Sequence, residues 1–410
     1  MSVDLPDAGA NAPATNRRVC HVIFEHSVFD GRVFFKEACS LARAGYEVVL
    51  LVPEVRSGWL GRQGELRVAP GESYHRHGVR FETYRYPRRL PSLLGIRRAA
   101  ARRAILDALR RINPDLCHFH ESGLTMEVIA DVRQALPKAL IVFDFHELFL
   151  HQLRDAPDFP ERVAQFLSTE ARMLGAVDAL ITVSDFISDY YRTLFAGPVV
   201  TIMNCQSARL LPSLPAPAPT EDTFWVVHEG WMRFNRGLRL LVAAAAELTD
   251  PTIRILVLGD LPPRERRWFE QESARLGVRG RFEITGMLPY DQVPARLATG
   301  AVGIHFVQSA NGRTGVSNKF FNYLCFGLPI ITLEHPLVAP LVRHADCGTV
   351  VSPDPAAVAA ALQTLRHDAA LRLRQRDHAR QLFVEELNWE QMERRLFTLY
   401  RELLAARAPA

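Results

Sequence analysis

The chain has 410 residues, 48% of them hydrophobic and 23% charged, and a formal net charge of +4. That length suits two cores rather than one, the composition is that of a soluble globular protein, and so small a net charge makes no demand for a nucleic-acid partner. No window of about 18 uninterrupted apolar residues exists, so no membrane-spanning helix is expected.

The first 18 residues, MSVDLPDAGANAPATNRR, are small and polar and lack the apolar centre of a signal peptide. They read as a disordered leader, 1–18, on a cytoplasmic protein. VCHVIF (19–24) is then a strand, and Arg32 to Ala44 an amphipathic stretch. Further strands follow at EVVLLV (47–52), LCHFH (116–120), LIVFDF (140–145), ALITVS (179–184) and VVTIMN (199–204). Strands this continuously apolar, separated by helical patterns, imply a parallel sheet covered on both faces. The stretch 88–114 carries eight arginines and one acid, Asp107, with Ile96, Ala99, Leu106 and Leu109 at helical spacing. Two readings stay open. It is a basic amphipathic helix making a peripheral membrane contact through 88–112, or a domain helix with its apolar stripe in the core.

The pattern breaks in the proline-rich segment 207–222, which reads as a linker between domains at 19–206 and 223–385. A second series of strands follows: FWVVHEG (224–230), IRILVLG (253–259), FEITG (282–286), VGIHFV (302–307), PIIT (329–332) and GTVV (348–351). From Pro355 to Ala406 the chain reads as consecutive helices, and the last segment, 386–410, is expected to pack back on the first domain. The six cysteines (Cys20, Cys39, Cys117, Cys205, Cys325, Cys347) show no CxxC pair and no zinc spacing, so reduced core thiols are expected. The fold class is α/β, with two Rossmann-like doubly wound domains facing a central cleft. Ligands of open parallel sheets bind outside the carboxyl ends of the strands, so residues there are the candidates.

In the second domain Gly230 ends a strand, and Arg233 and Arg236 precede a helix that begins near Gly237. Two guanidinium groups beside a helix N-terminus form an anion site, or else they are solvated surface charges. Further on, GRTGVSNKFFNYLCFGLPII (312–331) carries one of only three lysines in the chain. A helix from about Asn318 to Phe326, with Ser317 as N-cap and Gly327 beyond its end, puts Lys319 and Asn322 on one face. Phe320, Phe321 and Leu324 then point into core. Lys319 in the first turn suits a phosphate, and Asn322, a donor and an acceptor, suits a sugar hydroxyl. In the first domain Asp30, Gly31 and Arg32 follow strand one, His120 and Glu121 end LCHFH, and Asp144, His146 and Glu147 end LIVFDF. Asp30 reads equally as a helix N-cap, and Asp144 as a buried hydrogen-bonding residue.

These segments together resemble GT-B glycosyltransferases, in particular glycosyltransferase family 4. The resemblance rests on SNKFFNYLCFGLPII, EGWMRFNRGLRLLVAAAAEL, VFDGRVFFKEACSLARAGYEVVLLVP, PDLCHFHE, LIVFDFHEL and DALITVSDFI, in that family's order and spacing, and it covers roughly residues 19 to 400. It implies a GT-B architecture and a nucleotide-diphosphate sugar donor, held mainly by the second domain. Arg236 and Lys319 would hold the diphosphate, with Arg233 assisting. Gly315 and Val316 would approach the donor through backbone, and Gly286 and Met287 would lie near the base. The family's ribose-binding glutamate falls at Asn322, and a second family glutamate falls at Thr314; both are departures. His146 matches a histidine near the reacting carbon, with Glu147 and Asp30 as further catalytic candidates. Gly31, Arg32, His120 and Glu121 would belong to the acceptor side or cleft.

The implied reaction is transfer to a glycan or lipid-linked acceptor in surface polysaccharide or glycoconjugate synthesis, retaining, with no metal or other cofactor. An inverting enzyme would instead need a carboxylate base, for which Asp30, Glu121 and Glu147 are available. The alternatives are a GT-B nucleotide-sugar epimerase and a non-catalytic nucleotide-sugar-binding partner in a glycan assembly complex.

Overall fold

The computed structural model describes residues 17–56, 59–60, 66–68, 73–86, 95–120, 123–150, 159–214, 223–289 and 292–407. The chain divides into two compact units. The first is Met1–Met203 with Met392–Ala410, and the second is Asn204–Gln391.

The first unit holds β1 (Arg18–Val22), β2 (Glu47–Arg56), β3 (Trp59–Leu60), β4 (Leu66–Arg67), β5 (Tyr74–Arg76), β6 (Val79–Arg85), β7 (Leu116–His120), β8 (Leu140–Phe145), β9 (Ala179–Thr182) and β10 (Val199–Thr201). Their order is β10-β9-β8-β7-β1-β2-β3-β4, with β6 beside β2 and β5 beside β6. All pairs from β10 to β2 are parallel, as is β2 with β6. Every residue of β7, β8 and β9 is buried, which is why those segments read as mainly apolar runs, broken only by the buried His118, His120, Asp144 and Thr182. The strands β3 to β6 are not expected from the sequence. They are short or, like VRFETYR in β6, alternate buried and half-exposed positions with charge mixed in.

The second unit holds β11 (Phe224–Glu229), β12 (Ile253–Leu258), β13 (Phe282–Ile284), β14 (Val302–His305), β15 (Ile330–Leu333) and β16 (Gly348–Val351). They form an all-parallel sheet in the order β13-β12-β11-β14-β15-β16. In both sheets the winding reverses beside the first strand, between β1 and β7 and between β11 and β14. Reversal points of this kind are where open parallel sheets leave a ligand crevice. Gly259 is required here for closeness: at φ +152° its backbone lies so near Gly230 that a Cβ would sit 2.2 Å from the Gly230 carbonyl oxygen.

Three expectations need correcting. The amphipathic stretch after β1 is not one α-helix. Val33–Ala38 winds as a π-helix, with Phe35 N–H donating to Asp30 and Glu37 N–H to Arg32, before an α-helix over Cys39–Arg43. The segment expected to be linker from 207 contains a 3-10 helix, Ala208–Ser213, whose Ala208 N–H is taken by Glu390 at 2.8 Å; 215–222 lie outside the described residues. In the arginine-rich stretch the helix is Ile96–Ile112, and its buried side is Ala101, Ile105, Ala108, Leu109 and Ile112. Ile96 and Ala99, expected on the apolar stripe, are exposed, while Arg98 pairs with Glu127 and Arg102 with Asp131. No helix among the described residues is long and apolar enough to cross a membrane. The six cysteines are buried and unpaired.

The C-terminal helices are Pro355–His367, Ala369–Glu385 and Trp389–Ala406. From Met392 the last helix belongs to the first unit. There the Tyr400 hydroxyl meets His118 Nδ1 at 2.9 Å, and Glu393 accepts from Arg43 at 3.1 Å.

Candidate functional site

In the second unit the site is built at the carboxyl ends of β11 and β14. Asn318–Phe326 is a helix, with Gly327 at φ +65° ending it. Ser317 takes the N-cap position but does not cap with its side chain. Its Oγ instead lies 2.9 Å from His305 Nε2, at the end of β14. Phe320, Phe321 and Leu324 are fully buried, so the remaining face is left to Lys319 and Asn322.

Lys319 is only 5% exposed. Its Nζ stands 3.1 Å from His228 Nε2, and among the described residues no carboxylate lies within ion-pair distance of it. Burial, then the positive charge of Arg236, brings its pKa down to about 7, with Glu229 pulling the other way. His228 is pushed well below the usual histidine range by burial and then by Lys319, so it is a neutral imidazole. Arg236 ends the 3-10 turn Phe234–Arg236, directly ahead of the helix Leu238–Glu247. Between them Gly237 sits at φ +81°, where a Cβ would strike the Phe306 ring. Two buried or half-buried cations at helix N-termini, without a matching acid on Lys319, form a site that wants an anion.

Asn322 is 9% exposed and fully engaged. Its Nδ2 donates to both carboxylate oxygens of Glu229, at 2.6 and 2.7 Å, and its Oδ1 accepts from Gln206 at 2.6 Å. Arg233 is exposed, with its guanidinium carbon 5.9 Å from the Trp231 ring centre. Gly315 and Val316 are half-buried in the loop before the Lys319 helix. Gly286, at φ +70° with open space around it, and Met287, 67% exposed, follow β13. The second unit therefore gathers Arg236, Lys319 and Asn322 and leaves Arg233 outside that group.

The first unit carries a different cluster. Arg32 is expected on the ligand side, yet it is 3% exposed and faces inward. It grips both Asp144 oxygens, at 2.9 and 3.1 Å, and donates to the Ile202 carbonyl at 2.7 Å. Its Nε also lies 3.0 Å from Glu37 Oε1, but the hydrogen points at Asp144, so that contact is electrostatic only. Burial favours protonation of both acids. Arg32 overcomes this for Asp144, which is held well below the usual carboxylate range, while Glu37 is pushed up and stays protonated.

His120, also expected on the ligand side, is fully buried. It stacks on His21, with Nε2 2.9 Å from His21 Nδ1, and burial pushes its pKa down to about 4. Ligand atoms of His21, Glu37, His118 and His120 lie within 4.8 Å of one another, as do those of His120, Asp144 and His146. Such spacing would suit a divalent ion, but the Arg32 guanidinium already supplies the positive charge at this position.

His146 is the member of this cluster that reaches partial exposure. Its Nε2 is 2.9 Å from Asp144 Oδ2, and burial lowers its pKa, so it is a neutral imidazole oriented by a carboxylate. Asp30 serves as a local cap, its Oδ1 accepting from the Arg32 and Val33 amides at 2.8 and 2.9 Å. Burial raises its pKa, but His26 and these amides more than reverse that. Gly31 and Glu147 are exposed, and Glu121 lies outside the described residues. Sequence reasoning missed Glu229, His228, Glu37 and Tyr400. Of these, Glu229 could have been found, because it ends β11 as visibly as His120 ends β7.

Residues 31–205 match the glycosyl transferase 4-like domain, and residues 223–368 match the family of glycosyl transferases group 1. No curated protein matches the sequence. Among solved structures the chain is similar to a sucrose-phosphate synthase from Thermosynechococcus elongatus, at 19% identity and TM-score 0.71 over 95% of this chain and 100% of that one. It is also similar to HepE of Anabaena in complex with UDP, at 15% identity and TM-score 0.68 over 94% and 100%. A third likeness is to a UDP-forming α,α-trehalose-phosphate synthase from Burkholderia vietnamiensis, at 12% identity and TM-score 0.70 over 97% and 100%. At these identities the likeness is one of fold.

Proposed function

The chain belongs to the GT-B glycosyltransferases of the family 4-like kind, and from that premise we propose a nucleoside diphosphate sugar as its donor, held mainly by the second unit. The observation that carries this reading is Lys319: a buried ammonium beside Arg236 at a helix N-terminus, with no acid within ion-pair distance among the described residues. A diphosphate supplies the missing charge. As the sugar–phosphate bond breaks, charge builds on the leaving phosphate, and Lys319 and Arg236 stabilise it. Two fixed cations perform the service a metal ion otherwise gives, so we assign a metal-independent reaction; retention of configuration is assigned from the family resemblance alone. UDP and UDP-glucose in the HepE structures support a uridine donor as the first to try, with a guanosine donor next. Gly286 and Met287 are assigned to the base, and Gly315 and Val316 to backbone contact with the donor.

In the first unit His146, oriented by Asp144, is assigned to the chemistry of transfer, with Glu147 and Gly31 on the acceptor side. The acceptor is a glycan or lipid-linked sugar at the cytoplasmic side. A lipid-linked acceptor would bring the helix Ile96–Ile112 to an anionic surface. Incubation with UDP- and GDP-sugars and an acceptor panel, read as nucleoside diphosphate release and product NMR, tests this. Turnover should survive EDTA, and the product should keep the donor's anomeric configuration. An inverted product, or activity lost with the metal and restored by it, would overturn those assignments.

A further inference from the structure

Glu229 is the last residue of β11, at the sheet's reversal point, and it is held from two directions. Its backbone N–H donates to the Tyr323 hydroxyl at 3.0 Å. Its carboxylate is taken by one amide group, Asn322 Nδ2, which reaches both oxygens. Gln206 fixes that amide in turn: because Gln206 Nε2 donates to Asn322 Oδ1, the NH2 end must face Glu229.

A carboxylate offers about four acceptor positions, and a single NH2 group fills at most two. Among the described residues no lysine, arginine or histidine lies within ion-pair distance of Glu229. It is nonetheless half-buried, where burial raises its pKa. A neutral residue would cost less there. What the arrangement provides is an oriented acceptor for hydroxyl groups, one strand away from the Lys319 helix.

We propose that Glu229, steered by Asn322, accepts the ribose hydroxyls of the donor nucleotide, so that this chain carries its diol-binding acid at a strand end and not on the helix. The proposal rests on the nucleotide-sugar reading above. Ribose is favoured over the transferred sugar by the sheet order. Gly286 and Met287, assigned to the base, follow β13; β12 and β11 come next, and Lys319 follows β14. A nucleotide running from base to diphosphate passes Glu229 with its ribose.

The test is calorimetric binding of UDP, GDP, their 2′-deoxy forms and the matching sugar nucleotides to the wild type, Glu229→Gln and Asn322→Ala. The wild type should prefer the ribonucleotide about tenfold or more, the scale of one hydrogen bond to a charged group. Glu229→Gln, nearly isosteric, should bring that ratio close to one while diphosphate binding through Lys319 remains. Asn322→Ala should reduce the ratio in part. Equal ratios in the wild type and Glu229→Gln would sink the proposal. Loss of preference for the sugar nucleotide over the plain diphosphate, with the ribose ratio kept, would move Glu229 to the transferred sugar and overturn it as well. Failure of every diphosphate to bind the wild type would instead overturn the donor reading on which it stands.

Discussion

In the first unit Arg32 is buried with Asp144 at 2.9 Å and Glu37 at 3.0 Å, and the histidines around them are held neutral. In the second unit Lys319 is buried almost as deeply, yet among the described residues it meets the neutral His228 and no acid within ion-pair distance, while Glu229 nearby meets an amide and no base within that distance. Both clusters lie at the reversal point of a parallel sheet. The first balances its own charge and holds one partly exposed histidine in place. The second leaves a cation and an anion that act on each other only at a distance, neither closing an ion pair among the described residues. The difference separates a positioning network from a binding site, because an incompletely paired buried charge is costly and a ligand of opposite charge relieves that cost.

The largest test breaks the balanced side. Arg32→Met leaves the Asp144 carboxylate buried without its counter-charge, and should destabilise the protein by about 3–5 kcal/mol, read from the urea midpoint. Lys319→Met, made in the other unit, should leave the free protein as stable or more so. If the two variants lose stability equally, the contrast between the units is wrong.

Next comes function without fold. His146→Ala should reduce turnover by about a hundredfold, the lower end for a positioned acid–base group, with nucleotide affinity unchanged. Lys319→Ala should do the converse, weakening diphosphate binding about 10–100-fold. A His146 variant with full turnover would make that residue structural.

Much of this was legible beforehand. The strands LCHFH, LIVFDF and GTVV and the helix Asn318–Phe326 coincide with their sequence spans; the first two are buried throughout and read as mainly apolar runs, while GTVV, half-exposed at three positions, is marked by its β-branched residues. Lys319 and Asn322 were legible as one helical face. The π-turn at Val33–Ala38 was not, since its bonds to Asp30 and Arg32 leave no mark in hydrophobic period. Nor was the inward turn of Arg32, which depends on an acid 112 residues away. The place of Glu229 at the end of β11 was legible, but its pairing with Asn322, 93 residues on, was not.

The pH dependence sharpens the unbalanced side. Lys319 has a pKa of about 7 in the free protein, and phosphate oxygens beside it would raise that value. Binding then takes up a proton. Affinity for UDP or GDP should be full below pH 7 and fall above it, approaching tenfold per pH unit. The free protein should respond in the opposite direction. Between about 7 and the ordinary value of 10.5 the unfolded chain holds the extra proton, so this group's contribution to stability improves as pH rises through that window. Calorimetry at pH 6.5, 7.5 and 8.5 reads the first effect, and Lys319→Met should flatten it.

The smallest effect carries the same contrast to the surface. On the helix Ile96–Ile112, Arg98 and Arg102 have acids opposite them, Glu127 and Asp131, while Arg103 and Arg111 are exposed and meet no carboxylate within ion-pair distance among the described residues. If counter-charge decides which groups are left for a partner, Arg98→Gln and Arg102→Gln should cost under about 1 kcal/mol each and leave binding to phosphatidylserine vesicles unchanged. Arg103→Gln and Arg111→Gln should leave stability alone and weaken vesicle binding about fivefold each, the scale of one basic residue near an anionic surface. Vesicle binding that falls equally in all four variants would mean that only net charge matters on this helix, and that pairing with a neighbouring helix does not withdraw an arginine from the membrane.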